Sequence, residues 1–467
     1  MNFSSLFYRR PPEDDARRVD DQHLWFLPAA SDKIRLIILA VIVGILAGCG
    51  AAFLKWLIGK VTAYLHPLWI TSGGPDWTLL WLPVVGILLA GIYQRYILRD
   101  RISHGVDKLV NDLAEKKYLL SPKLVYAPTV ASTFTLAFGG SAGSEGPIAY
   151  TGAAIGSNVG RICGVSADMI YLLIACGAGA GIAGIFKAPV GGALFTIEVL
   201  GMALTTVSVI AVFAASISAA LTAYMLSGFT LDITWHHNIS FEPSMLLWAV
   251  ILGVFCGLYS VYYSLVMKKM RRVYESIRSP WIENLVSGAV LALTIFIFPS
   301  LYGEGYDVIR NVINTDWVAP FDASLFNGGI SPYLTLPMIL GGVLIVKCFA
   351  CSASNSGGGV AGDFAPTLFA GCIAGLFFAI IMNDLFDIGL APQVFAYIGM
   401  AGVMAGVIRA PLMALFLTAE MCNGFDYFLP LTVVTIIAYG IVMLVTKRRF
   451  YEVHLFRHHH PKHSVGA

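Results

Sequence analysis

Long apolar runs separated by short polar loops dominate this chain. The first covers Ile34 to Ile58 and the second Trp77 to Leu98; further runs lie at 168–186, 189–227, 245–267, 284–299, 335–352, 364–388 and 391–446. About 20 apolar residues in a helix cross a bilayer. Most of these runs hold one membrane-spanning helix each, and 189–227 and 391–446 are long enough for more than one. The expected fold class is an all-α polytopic membrane protein. Glycine and proline cut several runs into pieces too short to cross. Backbone groups freed in hydrocarbon persist only where protein or a water-filled cavity surrounds them. The breaks near Gly143–Pro147 and Gly357–Pro366 therefore predict irregular backbone deep inside the molecule.

These breaks occur twice. Gly143-Ser144-Glu145-Gly146-Pro147, followed by Gly152 and Gly156, returns 219 residues later as Gly362-Asp363-Phe364-Ala365-Pro366, followed by Gly371 and Gly375. Ala183-Gly184 with Lys187-Ala188-Pro189 and Glu198 returns 222 residues later as Ala405-Gly406 with Arg409-Ala410-Pro411 and Glu420. Matched Gly/Pro interruptions in two halves of an apolar chain point to a transport site built from broken helices.

Composition supports this class. Residues are 57% hydrophobic and 12% charged, against about 25% charged in soluble domains. The net charge of +2 is too small to argue for nucleic acid. The polar start of the chain shows no cleaved secretory signal. Basic residues cluster before Leu36, at 95–123, at 268–278 and at 447–449, which places both termini and these loops in the cytoplasm. Of the eight cysteines, Cys348 and Cys351 form one close pair with no second pair to complete a zinc site, so small hydrophobes in packed helices is the preferred reading. The tail after Val445 holds five of the ten histidines. It reads as a solvated end, with a metal-binding tail as the alternative.

The glycine turns suit an anion. A helix start carries unpaired N–H groups and partial positive charge, and glycine lets a ligand approach the backbone. Two such ends meeting at mid-membrane would hold a dehydrated halide without a buried full positive charge. The plainer alternative is helix packing through small residues, as in the Gly152/Gly156 spacing. Glu145 also has two readings. It is either a first-turn cap favoured by the dipole or, as an ionisable group at membrane depth, a functional residue. In the second reading its carboxylate takes the anion's place when ionised and swings away when protonated.

Over residues 33–455 the chain resembles the CLC chloride channels and chloride/proton exchangers. Residues 143–147 are similar to the family's G-[RKS]-E-G-P motif and 362–366 to its G-x-F-x-P motif. Lys187-Ala188-Pro189 and Arg409-Ala410-Pro411 resemble its x-A-P repeats, and Tyr451 falls where the family keeps a pore tyrosine. The resemblance implies a CLC-type fold of two inverted-topology repeats of broken, tilted helices, and a homodimer with one pore per subunit. It implies Glu145 as gate and proton carrier, and an anion held by Ser103 or His104, Ser144, Gly146, Asp363, Phe364 and Tyr451. The implied organisation is a cytoplasmic segment 1–32, repeats 33–230 and 246–447 joined by an extracellular connection 231–245, and a final pore segment and cytoplasmic tail 448–467 without CBS domains.

Three positions depart from the family pattern. Its first anion motif, G-S-G-I-P, is represented by Ile102-Ser103-His104-Gly105-Val106, which leaves open whether Ser103 or His104 faces the anion or whether the segment is a solvated turn. Asp363 puts a carboxylate where it would repel an anion, so it is expected to point away and cap its helix. The inner proton glutamate of the exchangers falls on Val199, which cannot carry a proton. Glu198 precedes that position, and its echo Glu420 suggests a structural role.

The expected function is passage of chloride or a similar small anion through the cell membrane by a gated, passive channel; the alternative is a chloride/proton antiporter. The expected partners are chloride, protons in the antiporter reading, the bilayer and a second copy of the chain, with no nucleic acid, cofactor or metal. Two other classes fit less well. A different secondary transporter should show more acidic or aromatic residues at the breaks. An intramembrane enzyme using Ser141 or Ser144 lacks a histidine beside them in any apolar run.

Overall fold

The computed structural model describes residues 32–65, 77–99, 105–228, 233, 245–314, 317–321 and 332–446. The first half holds α1 (Asp32–Leu65), α2 (Leu82–Ile92), α3 (Gly105–Ala114), α4 (Ala127–Ala137), α5 (Glu145–Ile162), α6 (Ala167–Phe186), α7 (Pro189–Glu198) and α8 (Thr206–Ser227). The second holds α9 (Met245–Glu275), α10 (Pro280–Ile297), α11 (Tyr306–Asn314), α12 (Pro332–Ser356), α13 (Phe364–Phe386), α14 (Pro392–Ile408), α15 (Pro411–Cys422) and α16 (Phe428–Val445). Among the described residues, strand pairing is confined to one bridge between Gly143 and Gly362. Eight of the described helices are long and apolar enough to cross a membrane.

Each apolar run became helix. Run 189–227 divides into α7 and α8, and 391–446 into α14, α15 and α16. Four helices, α3, α4, α5 and α11, lie in no predicted run. At 11 residues α4 is too short to span, and its polar side chains bond back to its own backbone. Thr133 Oγ1 donates to the Thr129 carbonyl at 2.9 Å, and Thr135 Oγ1 to Ala131 at 3.2 Å.

The two halves repeat each other. Helices α6 and α14 both end in a left-handed residue, Lys187 at φ 55° and Arg409 at φ 63°. Each is followed by an alanine that proline bars from helical geometry, and the proline then opens the next helix at its first turn. Helix α5 packs on α6 through glycine: a Cβ on Gly152 or Gly156 would strike the carbonyl of Gly177 or Leu173. Helix α13 packs on α14 the same way, with Gly371 against the Gly399 carbonyl and Gly375 against that of Phe395. The small-residue reading of Gly152 and Gly156 is thus the right one for those two positions.

The halves are also inverted. Glu198, at the end of α7, accepts the N–H groups of Leu412 at 3.2 Å and Met413 at 2.7 Å at the start of α15. Glu420, near the end of α15, accepts those of Val190 at 3.0 Å and Gly191 at 2.8 Å at the start of α7. Two helices that each cap the other's beginning from their own end run antiparallel. In the centre of each half, α6 and α13 have 89% of their most apolar window buried, against 33% for α9 and α16. This leaves the exposed apolar residues of α9 and α16 to face lipid or another chain.

Candidate functional site

The two glycine turns meet. The Gly143 N–H donates to the Gly362 carbonyl at 2.9 Å, and the Gly362 N–H donates back at 2.6 Å. A reciprocal bridge between equivalent residues is what a two-fold relation between the repeats produces. It needs glycine, because a Cβ on Gly362 would lie 2.7 Å from the Gly146 nitrogen and one on Gly146 3.1 Å from the Gly362 Cα. The helices α5 and α13 start beside this bridge, so their N-terminal ends converge there.

The surrounding irregular backbone is buried and hydrogen-bonded both across the repeats and within the second one, as hydrocarbon depth requires. The Val360 N–H donates to Thr135 Oγ1 at 3.0 Å and the Ser141 N–H to Ser354 Oγ at 2.9 Å. The carbonyl of Gly357 accepts from Ser287 Oγ at 2.8 Å, and that of Gly358 accepts from Gln94 Nε2 at 2.8 Å.

Glu145 is fully buried. Its carboxylate does not cap α5; Oε1 accepts the N–H of Ala365 in the first turn of α13, in the other repeat. Its Oε2 is buried with no hydrogen-bond partner among the described residues. Phe364 is buried next to it, its ring centroid 5.7 Å from that of Phe195 on α7. The Ser144 N–H donates to Glu304 Oε1 at 2.8 Å, while the Ser144 hydroxyl has no hydrogen-bond partner among the described residues.

Asp363 differs from the sequence expectation. It stands at the N-cap of α13 but makes no side-chain cap bond. Its carboxylate is taken by Asn355 Nδ2 and by Cys351 Sγ at 3.4 Å, both on α12, because these donors are already buried beside it. Asn355 also lines a cavity of about 360 Å³ with Arg95, Arg271 and Asn284, residues or neighbours of the basic loops.

Of the residues singled out from sequence, Ser144, Glu145, Gly146, Asp363 and Phe364 come together at this crossing. Glu198 and Val199 lie at the α7–α15 contact, where Val199 is a buried apolar side chain. Ser103, His104 and Tyr451 lie outside the described residues. Two charged residues were missed. Glu304 sits between Gly303 and Gly305 in a loop. Lys347 is 1% exposed, and its signal was visible: it is the one charged residue in the apolar run 335–352.

A family model described as voltage gated chloride channel matches residues 85–443. The chain belongs to the CLC family. A protein of Ralstonia nicotianae described as ClcB-like is 29% identical over 373 residues, covering 78% of this chain and 82% of that one. The H(+)/Cl(-) exchange transporter ClcA of Vibrio cholerae is 25% identical over 446 residues, covering 92% and 91%. Among solved structures, that of a slow cyanobacterial Cl-/H+ antiporter has the same fold, with TM-score 0.75 and 22% identity over 91% of this chain and 97% of that one. The chain is therefore a multi-pass membrane protein of a family that transports anions.

Proposed function

We propose that this CLC protein passes chloride through a pathway gated by Glu145 and that passage is passive. The observation that carries this reading is the bond from Ala365 N–H to Glu145. One carboxylate oxygen sits where α13 offers its unpaired amides, which is where a dehydrated anion would be stabilised. Glu145 and the anion then compete for the same donors. Protonation removes the carboxylate's charge, weakens its hold on the amides and opens the path. Ser144, Gly146, Asp363 and Phe364 line the competition site; the family resemblance adds Ser103 or His104 and Tyr451 as further anion contacts, which lie outside the described residues. Val199, buried and apolar, offers no proton relay. Access from the cytoplasm is supported by the arginine-lined cavity beside Asn355.

A proton-coupled exchange is the second reading. It is favoured by the exchangers among the relatives and by two further carboxylates, Asp363 and Glu304, close enough to act on the charge of Glu145. In either case the assembly is a homodimer with one pathway per subunit in the cell membrane, both termini in the cytoplasm. Liposomes containing the protein separate the two. A passive channel lets a chloride gradient collapse without moving protons uphill; stoichiometric proton uptake against a gradient replaces the channel with the exchanger.

A further inference from the structure

Lysine is almost never fully buried unless paired, and taking an isolated ammonium out of water costs several kcal/mol. Lys347 violates that rule inside a membrane span. It is 1% exposed on α12, in the span Thr335–Ser356. Its Nζ donates to Ser141 Oγ at 2.8 Å and lies 4.5 Å from the centre of the Phe369 ring. Among the described residues no carboxylate forms an ion pair with it. An ammonium has three N–H donors, so a hydroxyl and a ring face leave it under-compensated.

Its two contacts locate it. Ser141 lies two residues before Gly143, in the turn that carries Glu145. Phe369 lies one helical turn after Ala365, whose N–H holds the Glu145 carboxylate, and so is on the same face of α13. Lys347 thus touches both sides of the crossing, and its charge is within electrostatic reach of Glu145. The other ionisable groups around the pair are Glu304 at the Ser144 amide, Asp363 at the start of α13, and Cys351 one turn along α12.

We infer that Lys347 is the fixed counter-charge of the anion site. With Glu145 in place, its carboxylate balances the ammonium. When Glu145 leaves, a halide must do so, and the lysine draws it to the vacated amides. Backbone dipoles then fix where the anion sits, and Lys347 sets how tightly it is held. This rests on Glu145 as the gate.

The test measures chloride binding by calorimetry on the purified full chain, with Lys347→Met, Lys347→Gln and Lys347→Arg each in a Glu145→Gln background. Removing the charge should weaken chloride binding about tenfold relative to Glu145→Gln alone, as expected for one nearby charge at partly screened distance. Lys347→Arg should stay within about twofold, because it restores the charge with a different shape. Equal affinity in the Met and Gln variants and their parent overturns the inference. So does an arginine variant as weak as methionine, or misfolding of both neutral variants that chloride does not rescue, since each makes the lysine a tether. The gate is judged separately: pH-dependent flux that survives in Glu145→Gln alone removes Glu145 from its role whatever Lys347 does.

Discussion

The repeats touch at two places where a glutamate carboxylate caps a helix of the opposite half, and the two differ in symmetry. At the α7–α15 contact the exchange is mutual: Glu198 caps α15 and Glu420 caps α7. At the glycine crossing it runs one way. Glu145 reaches Ala365 at the start of α13, but the residue 219 positions on from Glu145 is Phe364, which cannot return the favour. The start of α5 borrows Glu304 from a loop instead. The same physical device, a carboxylate on helix N–H groups, makes a closed clamp where it is doubled. Where it is single, it leaves one set of amides held by one carboxylate with no return contact, and the proposed gate rests on that asymmetry.

Breaking the one-way contact should have the largest effect. Glu145→Gln replaces a charge-assisted bond worth roughly 1.5–3 kcal/mol, so the closed arrangement should weaken about 10- to 100-fold. Chloride efflux from liposomes at neutral pH should rise and its acid dependence vanish; efflux that still accelerates on acidification would erase the contrast between the two contacts. Next comes the bridge itself. Gly362→Ala forces a Cβ to 2.7 Å from the Gly146 nitrogen and should cost about 1–3 kcal/mol, read as a lower melting temperature in detergent together with reduced flux. Gly59→Ala, which meets no atom within 4 Å, is the matched control. The smallest effects belong to the mutual clamp: Glu198→Gln and Glu420→Gln should each cost about 1 kcal/mol and by similar amounts, with the pH profile of flux unmoved. Markedly unequal losses, or a shifted pH profile in Glu198→Gln, would show that this contact is not a symmetric clamp.

Much of the fold was legible because lipid imposes a simple rule: spans must be long, apolar and helical. The short helices α3, α4 and α11, and the glycine-rich α5, escaped that rule. Helix α4 carries threonines that interrupt its apolar pattern and lies in no predicted run, yet those hydroxyls bond to its own carbonyls and to the Val360 amide of the other repeat. At the site, the residues in the repeated turns stood out, since glycine, proline and a carboxylate in an apolar setting are each unusual. Lys347 was equally unusual but carried no motif. Glu304 had no mark at all, because a glutamate between two glycines reads as a surface turn.

By itself the sequence determined the membrane spans, the duplication and the glycines at the two breaks, since each follows from local chemistry or from matching residues along the chain. Only the tertiary structure decided that Gly143 pairs with Gly362, that Glu145 serves α13 rather than its own helix, and that Asp363 bonds to α12 instead of capping. The reason is that central helices such as α6 and α13 are apolar on every side, so no polar face records which neighbour each will meet. Contacts across 219 residues are then chosen by where small residues let backbones approach.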